Sequence, residues 1–212
     1  MEPSPEYVAR REEIVAAAAA VFHEKGYDAG TLDDVADALD LRRASLYYYV
    51  RSKANLLFLI FEHALDVALS RLEEHMQIED PRDRLEALIR HQVRTIAGDP
   101  SLFSVFFDHR PRLEERYEME LLPRERRYLE VYESTVREAV AAGAIGNVDP
   151  RNATHAIMGM TTWSYKWFRP GRDEIDQLAD DCVMLVLGPR KRTGRRAAPV
   201  RAIPAVKATR RR

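Results

Sequence analysis

The segment Arg42 to Lys53, RRASLYYYVRSK, holds four cations, three consecutive tyrosines and no acid. Guanidinium and phenol groups donate to phosphate oxygens, aromatic rings touch thymine methyls, and an arginine fork matches the major-groove edge of guanine. On a helix Arg43 and Tyr47, four residues apart, share one face, while Leu46, Tyr49 and Val50 share another. The apolar face fits a core, which leaves the first face free for duplex DNA. A solvated surface turn is the bland alternative, but surfaces seldom expose that much aromatic area without a partner.

Other chemistries find little support. None of the six histidines has a partner at the three or four spacing that sets metal ligands on one helix face, and no glycine-rich phosphate loop or nucleophile elbow occurs. Asp108 and His109 are adjacent and so point apart on a helix, with no nucleophile nearby. The single cysteine, Cys182, sits among Leu178, Val183 and Val186 and reads as a buried structural thiol. The expectation is a protein with no catalytic residues, metal or cofactor.

The elements that would position the reading face lie just upstream. Leu32, Val35, Ala36 and Leu39 recur at helical spacing behind a capping pair, Thr31 and Asp34, and Asp40-Leu41 makes the turn. Nothing reads as paired strands. Punctuation by Gly26, Gly98, Gly143, Gly188, Asp80-Pro81 and Asp149-Pro150 divides the chain into about nine helices. The fold class is all-α: a three-helix DNA-binding unit at 1–53, an effector-binding and dimerisation domain at 54–188, and a tail at 189–212. The fourth helix opens at Ser52 and carries a wide apolar face from Leu56 to Leu72. The stretch Arg110 to Arg127 reads as a charged connection before the seventh helix.

At Thr31, Leu46-Tyr47, Val50 and Lys53 the chain resembles the TetR family of transcriptional repressors, closely over the first quarter and in helical plan beyond it. The family usually has Gly in the turn and Ser at the cap of the reading helix, where this chain has Asp40 and Arg42. Asp tolerates a left-handed backbone, and the lost cap costs about 1 kcal/mol. The resemblance implies that Arg43, Ala44, Ser45, Tyr47 and Tyr48 face the groove, that Thr31, Tyr49 and Lys53 meet phosphate, and that Arg42 adds a phosphate contact. It also implies a homodimer through the eighth and ninth helices, since two reading helices held about 34 Å apart read a palindromic operator. The apolar faces Ala153, Ala156, Ile157, Met160 and Ile175, Leu178, Cys182, Leu185, Val186 fit that pairing and fit a monomer core equally.

A second constellation is aromatic: Phe103, Phe106, Phe107, Tyr128, Tyr132, Met158, Trp163 and Trp167. Such stripes are usually plain core. The family plan places these helices around a ligand cavity, and the stretch Thr161 to Gly171 is similar to repressors that respond to acyl-CoA thioesters of steroid or fatty-acid catabolism. On that resemblance an acyl or ring group enters the cavity, and Arg110, Arg112 or Arg172 meets coenzyme A phosphates.

The net charge of −1 comes from 33 basic and 34 acidic residues, but residues 189–212 contain ten Lys or Arg and no acid, so the remainder is acidic and DNA contact must be local. The tail buries no apolar stripe and reads either as a disordered electrostatic arm or as a solubilising extension. No apolar run reaches the roughly 18 residues that span a bilayer, so no membrane partner and a cytoplasmic location are expected. The rival reading is an all-helical ligand-binding or adaptor protein that has lost DNA affinity.

Overall fold

The computed structural model describes residues 4–190, so the basic tail beyond Arg190 lies outside the described residues. Among these the chain is helical, without a strand apart from an isolated bridge between Pro170 and Asp173.

Helix α1 (Pro5–Lys25) opens where Ser4 accepts from the Tyr7 amide, with Pro at its first position, where no intrahelical donor is required. It buries Ile14, Ala18 and Phe22 against α2 (Leu32–Ala38), which buries Leu32, Val35 and Ala36. The Thr31 and Asp34 side chains form a reciprocal capping box. Lys25 and the Thr31 hydroxyl and amide hold the Asp34 carboxyl down at about 2. Gly30 precedes this cap because any Cβ there would meet the Phe22 ring at 2.9 Å. The turn into α3 (Arg43–Leu46) is made by Asp40 at φ 51°, in the left-handed region that the sequence requires of it. Arg42 caps α3 without a side-chain bond, and the backbone bonds Tyr49 N to Leu46 O and Val50 N to Leu46 O carry the helical course onward.

The rest comprises α4 (Lys53–Leu69), α5 (Leu72–Met76), α6 (Pro81–Gly98), α7 (Pro100–Asp108), a 3₁₀ turn (Arg110–Arg112), α8 (Glu115–Ala141), α9 (Pro150–Thr162), α10 (Ser164–Trp167) and α11 (Ile175–Leu187). The nine expected helices are present, with α5 and α10 as short continuations of the fourth and eighth. One boundary differs from expectation. The charged stretch after Arg110 is helical from Glu115 on, because its charges occupy the outer face while Leu121, Tyr132, Val136 and Ala139 face inward. Pro123 forfeits a single amide bond, to the carbonyl of the exposed Met119.

Two clusters form the core. One joins α1, α2 and α3 to α4 and continues into α7 through Leu102, Phe103 and Val105. The other fills the space between α6, α8, α9 and α11 around Leu88, Tyr132 and Val183. The first cluster therefore runs across position 53/54, and α4 belongs to both units. Arg82 ties the far end by donating to the Leu187 and Gly188 carbonyls at 2.7 and 2.8 Å, which supplies partners for the last turn of α11.

Candidate functional site

The surface around α3 is built by the burial of Leu46 and Val50, at 0% and 1% exposure, which turns the opposite face outward. Arg42, Arg43, Ala44 and Ser45 are exposed there, with Tyr47 and Tyr48 at 44% and 73%. Arg43 donates to Asp33 at 3.0 Å and to the Tyr47 hydroxyl at 3.3 Å. Its guanidinium is thus held beside the ring with which it shares the helix face. Tyr49 sits half-buried and stacks on Tyr7 at 5.1 Å, while Tyr48 meets Tyr7 edge-on at 5.9 Å. Tyr7, absent from the sequence expectations, anchors this row from the start of α1; its isolated position in a charged run gave no signal.

Three of the residues expected to meet phosphate make contacts within the chain. The Thr31 hydroxyl serves the α2 cap. Lys53 donates from Nζ to the Asp28 carbonyl at 3.0 Å and lies 4.6 Å from the Tyr27 ring centroid, so it braces the loop between α1 and α2 against the start of α4. Tyr49 supports Tyr48 through ring contacts.

The second site is a cavity of about 380 Å³ beside α4. Phe103, Phe106 and Phe107 enter it from α7, Tyr128 from α8 and Met158 from α9, which brings five of the eight expected effector residues together. Three lie elsewhere. Tyr132 is wholly buried beneath Tyr128, where its hydroxyl donates to the Leu88 carbonyl at 2.6 Å, as the inward face of α8 requires of it. Trp163 and Trp167 are 60% and 48% exposed, because α9 turns Ile157 and Thr161 inward and ends before either ring can follow them. Burial pushes the Tyr128 phenol up to about 12, so it stays neutral.

Residues missed from sequence complete the lining. Ala64, Leu65 and Ala68 come from α4, Gln92, Thr95 and Ile96 from α6, Thr162 from α9, and Glu125 and Leu129 from α8. Small and amide side chains on amphipathic helices carry no signature of a cavity. Of the three arginines expected near the mouth, Arg110 lines it. It is paired with Glu125 and, at 3.4 Å, with Glu118. Arg112 instead pairs with Asp28 at 2.6 Å, and Arg172 is exposed on the turn before α11.

Two elements connect cavity and surface. Helix α4 starts at Lys53 in the loop brace and presents Ala64 to Ala68 to the cavity. Helix α7 turns its phenylalanines inward, while Ser104 on its other side lies 2.5 Å from Nδ1 of His23 on α1.

The N-terminal segment 14–60 matches the family model described as bacterial regulatory proteins, tetR family, and residues 79–189 match that described as tetracyclin repressor-like, C-terminal domain. The chain is similar to the HTH-type transcriptional repressor KstR2 of Mycolicibacterium smegmatis, 24% identical over 84% of this chain and 89% of that protein. Among solved structures, a regulator of the TetR/AcrR family from Thermobifida fusca is 34% identical with a TM-score of 0.66, covering 87% of this chain and all of the other. AibR, solved with isovaleryl coenzyme A and operator DNA, is 28% identical with a TM-score of 0.76, covering 85% of this chain and 99% of that one.

Proposed function

The chain belongs to the TetR family of transcriptional regulators, and from that membership we propose that it is a dimeric repressor which leaves its operator when an acyl-CoA thioester enters the cavity. The observation that carries this reading is the span of α4, whose first residue braces the reading unit and whose middle turns wall the cavity. A ligand that prefers a shifted α4 changes the setting of α3, and it moves the equilibrium only by its differential affinity for the two states.

On the DNA side Arg43, Ala44, Ser45, Tyr47 and Tyr48 face the major groove, Arg43 reads a guanine edge, and Arg42 takes a phosphate. Thr31, Tyr49 and Lys53 come within reach of phosphate by small rearrangements of the contacts they now make. The bound structure of AibR supports the effector class, as does a cavity that is apolar, neutral at its Arg110–Glu125 pair and sized for an acyl group rather than for a whole coenzyme. The nucleotide end would stay outside, near Arg110. The dimer is formed by the outward faces of α9 and α11, where Trp163, Met184 and Leu185 are exposed. Residues 1–53 serve DNA and 54–188 serve effector and partner. No helix of the described residues is long and apolar enough to cross a membrane. As a regulator that meets operator DNA, the protein would act in the cytoplasm.

The test is titration of acyl-CoA thioesters into a complex with palindromic operator DNA, followed by fluorescence anisotropy. Release at ligand concentrations that saturate the cavity is expected; saturation without release refutes the coupling. A gel shift on random duplex at low salt separates this reading from an adaptor without DNA affinity.

A further inference from the structure

The cavity is not uniformly apolar. Gln92, on the inner face of α6, is 2% exposed and lines it. Its Nε2 donates to the Met158 sulfur at 3.1 Å and to the Thr162 hydroxyl at 3.4 Å. Its Oε1 is buried without any partner. A thioether is a weak acceptor and the second contact is at the limit of hydrogen-bond length, so even the donor side of this amide is poorly served. Turning the amide over would place its oxygen against the sulfur lone pairs, which keeps the nitrogen on Met158 and leaves the oxygen as the free group.

A buried acceptor without a donor is desolvated for nothing in return, and leucine would fill nearly the same volume without that penalty. The amide therefore makes physical sense if something that binds supplies a donor. Thr162 and Thr95 border the same cavity and add hydroxyls that can donate to a ligand oxygen. The phenylalanines of α7 and Leu65 surround the remaining volume with hydrocarbon.

We propose that the buried part of the effector carries a hydroxyl, which donates to Gln92 Oε1 and accepts from Thr95 or Thr162. This rests on the acyl-CoA reading and narrows it to thioesters of hydroxylated chains or rings. Among simple oxygen substituents of a chain or ring, a hydroxyl both donates and accepts from a single atom, as the spacing of Gln92 and the threonines requires. A ketone satisfies only the threonines and leaves Oε1 unpaired, and a plain hydrocarbon satisfies neither. Approach to Oε1 needs only a change in the terminal torsion of Gln92, which is soft.

The experiment is isothermal titration of the full-length protein with cyclohexanecarboxyl-CoA, its 2-, 3- and 4-hydroxy derivatives and its 4-oxo derivative. The best hydroxylated isomer is expected to bind about tenfold or more tighter than both the plain and the oxo thioesters. In Gln92→Leu that preference disappears, and the plain thioester binds tighter than it does to the wild type. A residue with only a packing role would weaken all ligands alike. Gln92→Met gives the same comparison if the leucine variant folds poorly, and the wild-type selectivity stands without either. Binding of the thioesters with no preference for hydroxyl, or a preference for the ketone, overturns the inference while leaving the acyl-CoA reading intact. If no thioester binds at all, both fall.

Discussion

Ser104 Oγ lies 2.5 Å from His23 Nδ1, and this contact joins the helix whose phenylalanines wall the cavity to the first helix of the reading unit. Replacing Ser104 by Ala removes the bond without altering the cavity face of α7. A net hydrogen bond is worth about 0.5 to 1.5 kcal/mol. The expected outcome is unchanged thioester affinity with free protein, and an effector concentration for operator release that moves by roughly two- to tenfold. Titrating ligand with and without operator measures both; equal shifts in the two would show a cavity effect instead.

In the proposed reading Arg43 is the side chain that distinguishes bases. Arg43→Ala is expected to weaken operator binding by about 1 to 3 kcal/mol and to relax preference at one base pair. A uniform loss across operator variants would assign it to phosphate. Asp33 competes for the same guanidinium in a solvent-exposed pair that adds little to stability. Asp33→Asn should therefore leave folding nearly unchanged and tighten operator binding, as read by anisotropy at constant salt.

The outward faces of α9 and α11 supply the dimerisation test. Leu185 is 76% exposed, beside Met184 at 54%. Leu185→Arg places a charge in the proposed interface and is expected to give monomers at micromolar concentration by sedimentation velocity, with loss of operator affinity. A dimer that persists would move the interface elsewhere.

His75 and His91 lie with ring centroids 5.1 Å apart where α5 meets α6. Burial, with their mutual repulsion adding to it at His75, holds both below the usual 6.5 in the folded protein. The unfolded chain therefore takes up protons first as pH falls, so stability is full above about pH 6.5 and declines through and below that value. Urea midpoints at pH 7.5 and 5.5 should differ in that direction. His75→Leu, which also removes an unpartnered buried Nδ1, should raise the midpoint at pH 5.5 and shrink the difference.

The residues that obey periodicity or capping rules were legible in the sequence. Thr31 with Asp34 and the turn at Asp40 each follow from local chemistry, and the structure places them accordingly. The exposure of Tyr47 followed from helical geometry once Leu46 and Val50 were assigned inward, and that of Tyr48 from the family resemblance. The cavity was legible only in part. Phe103 and Phe107 announce apolar volume, but whether a ring faces a void, a neighbour or solvent depends on helix rotation, which moved Trp163 outward and Tyr132 into the core. Gln92 escaped notice because a lone polar residue on an amphipathic helix resembles any surface residue until its surroundings are known.

Because Leu46, Phe61 and Phe103 belong to one continuous apolar cluster, the molecule has no seam at which the reading head could be cut away. A fragment ending near Lys53 would leave the sides of α1 and α2 that now meet α4 and α7 bare to water, and it should aggregate or stay unfolded rather than act as a miniature DNA binder. Melting is then a single event, and any small molecule that stiffens the rear of the protein also protects its front.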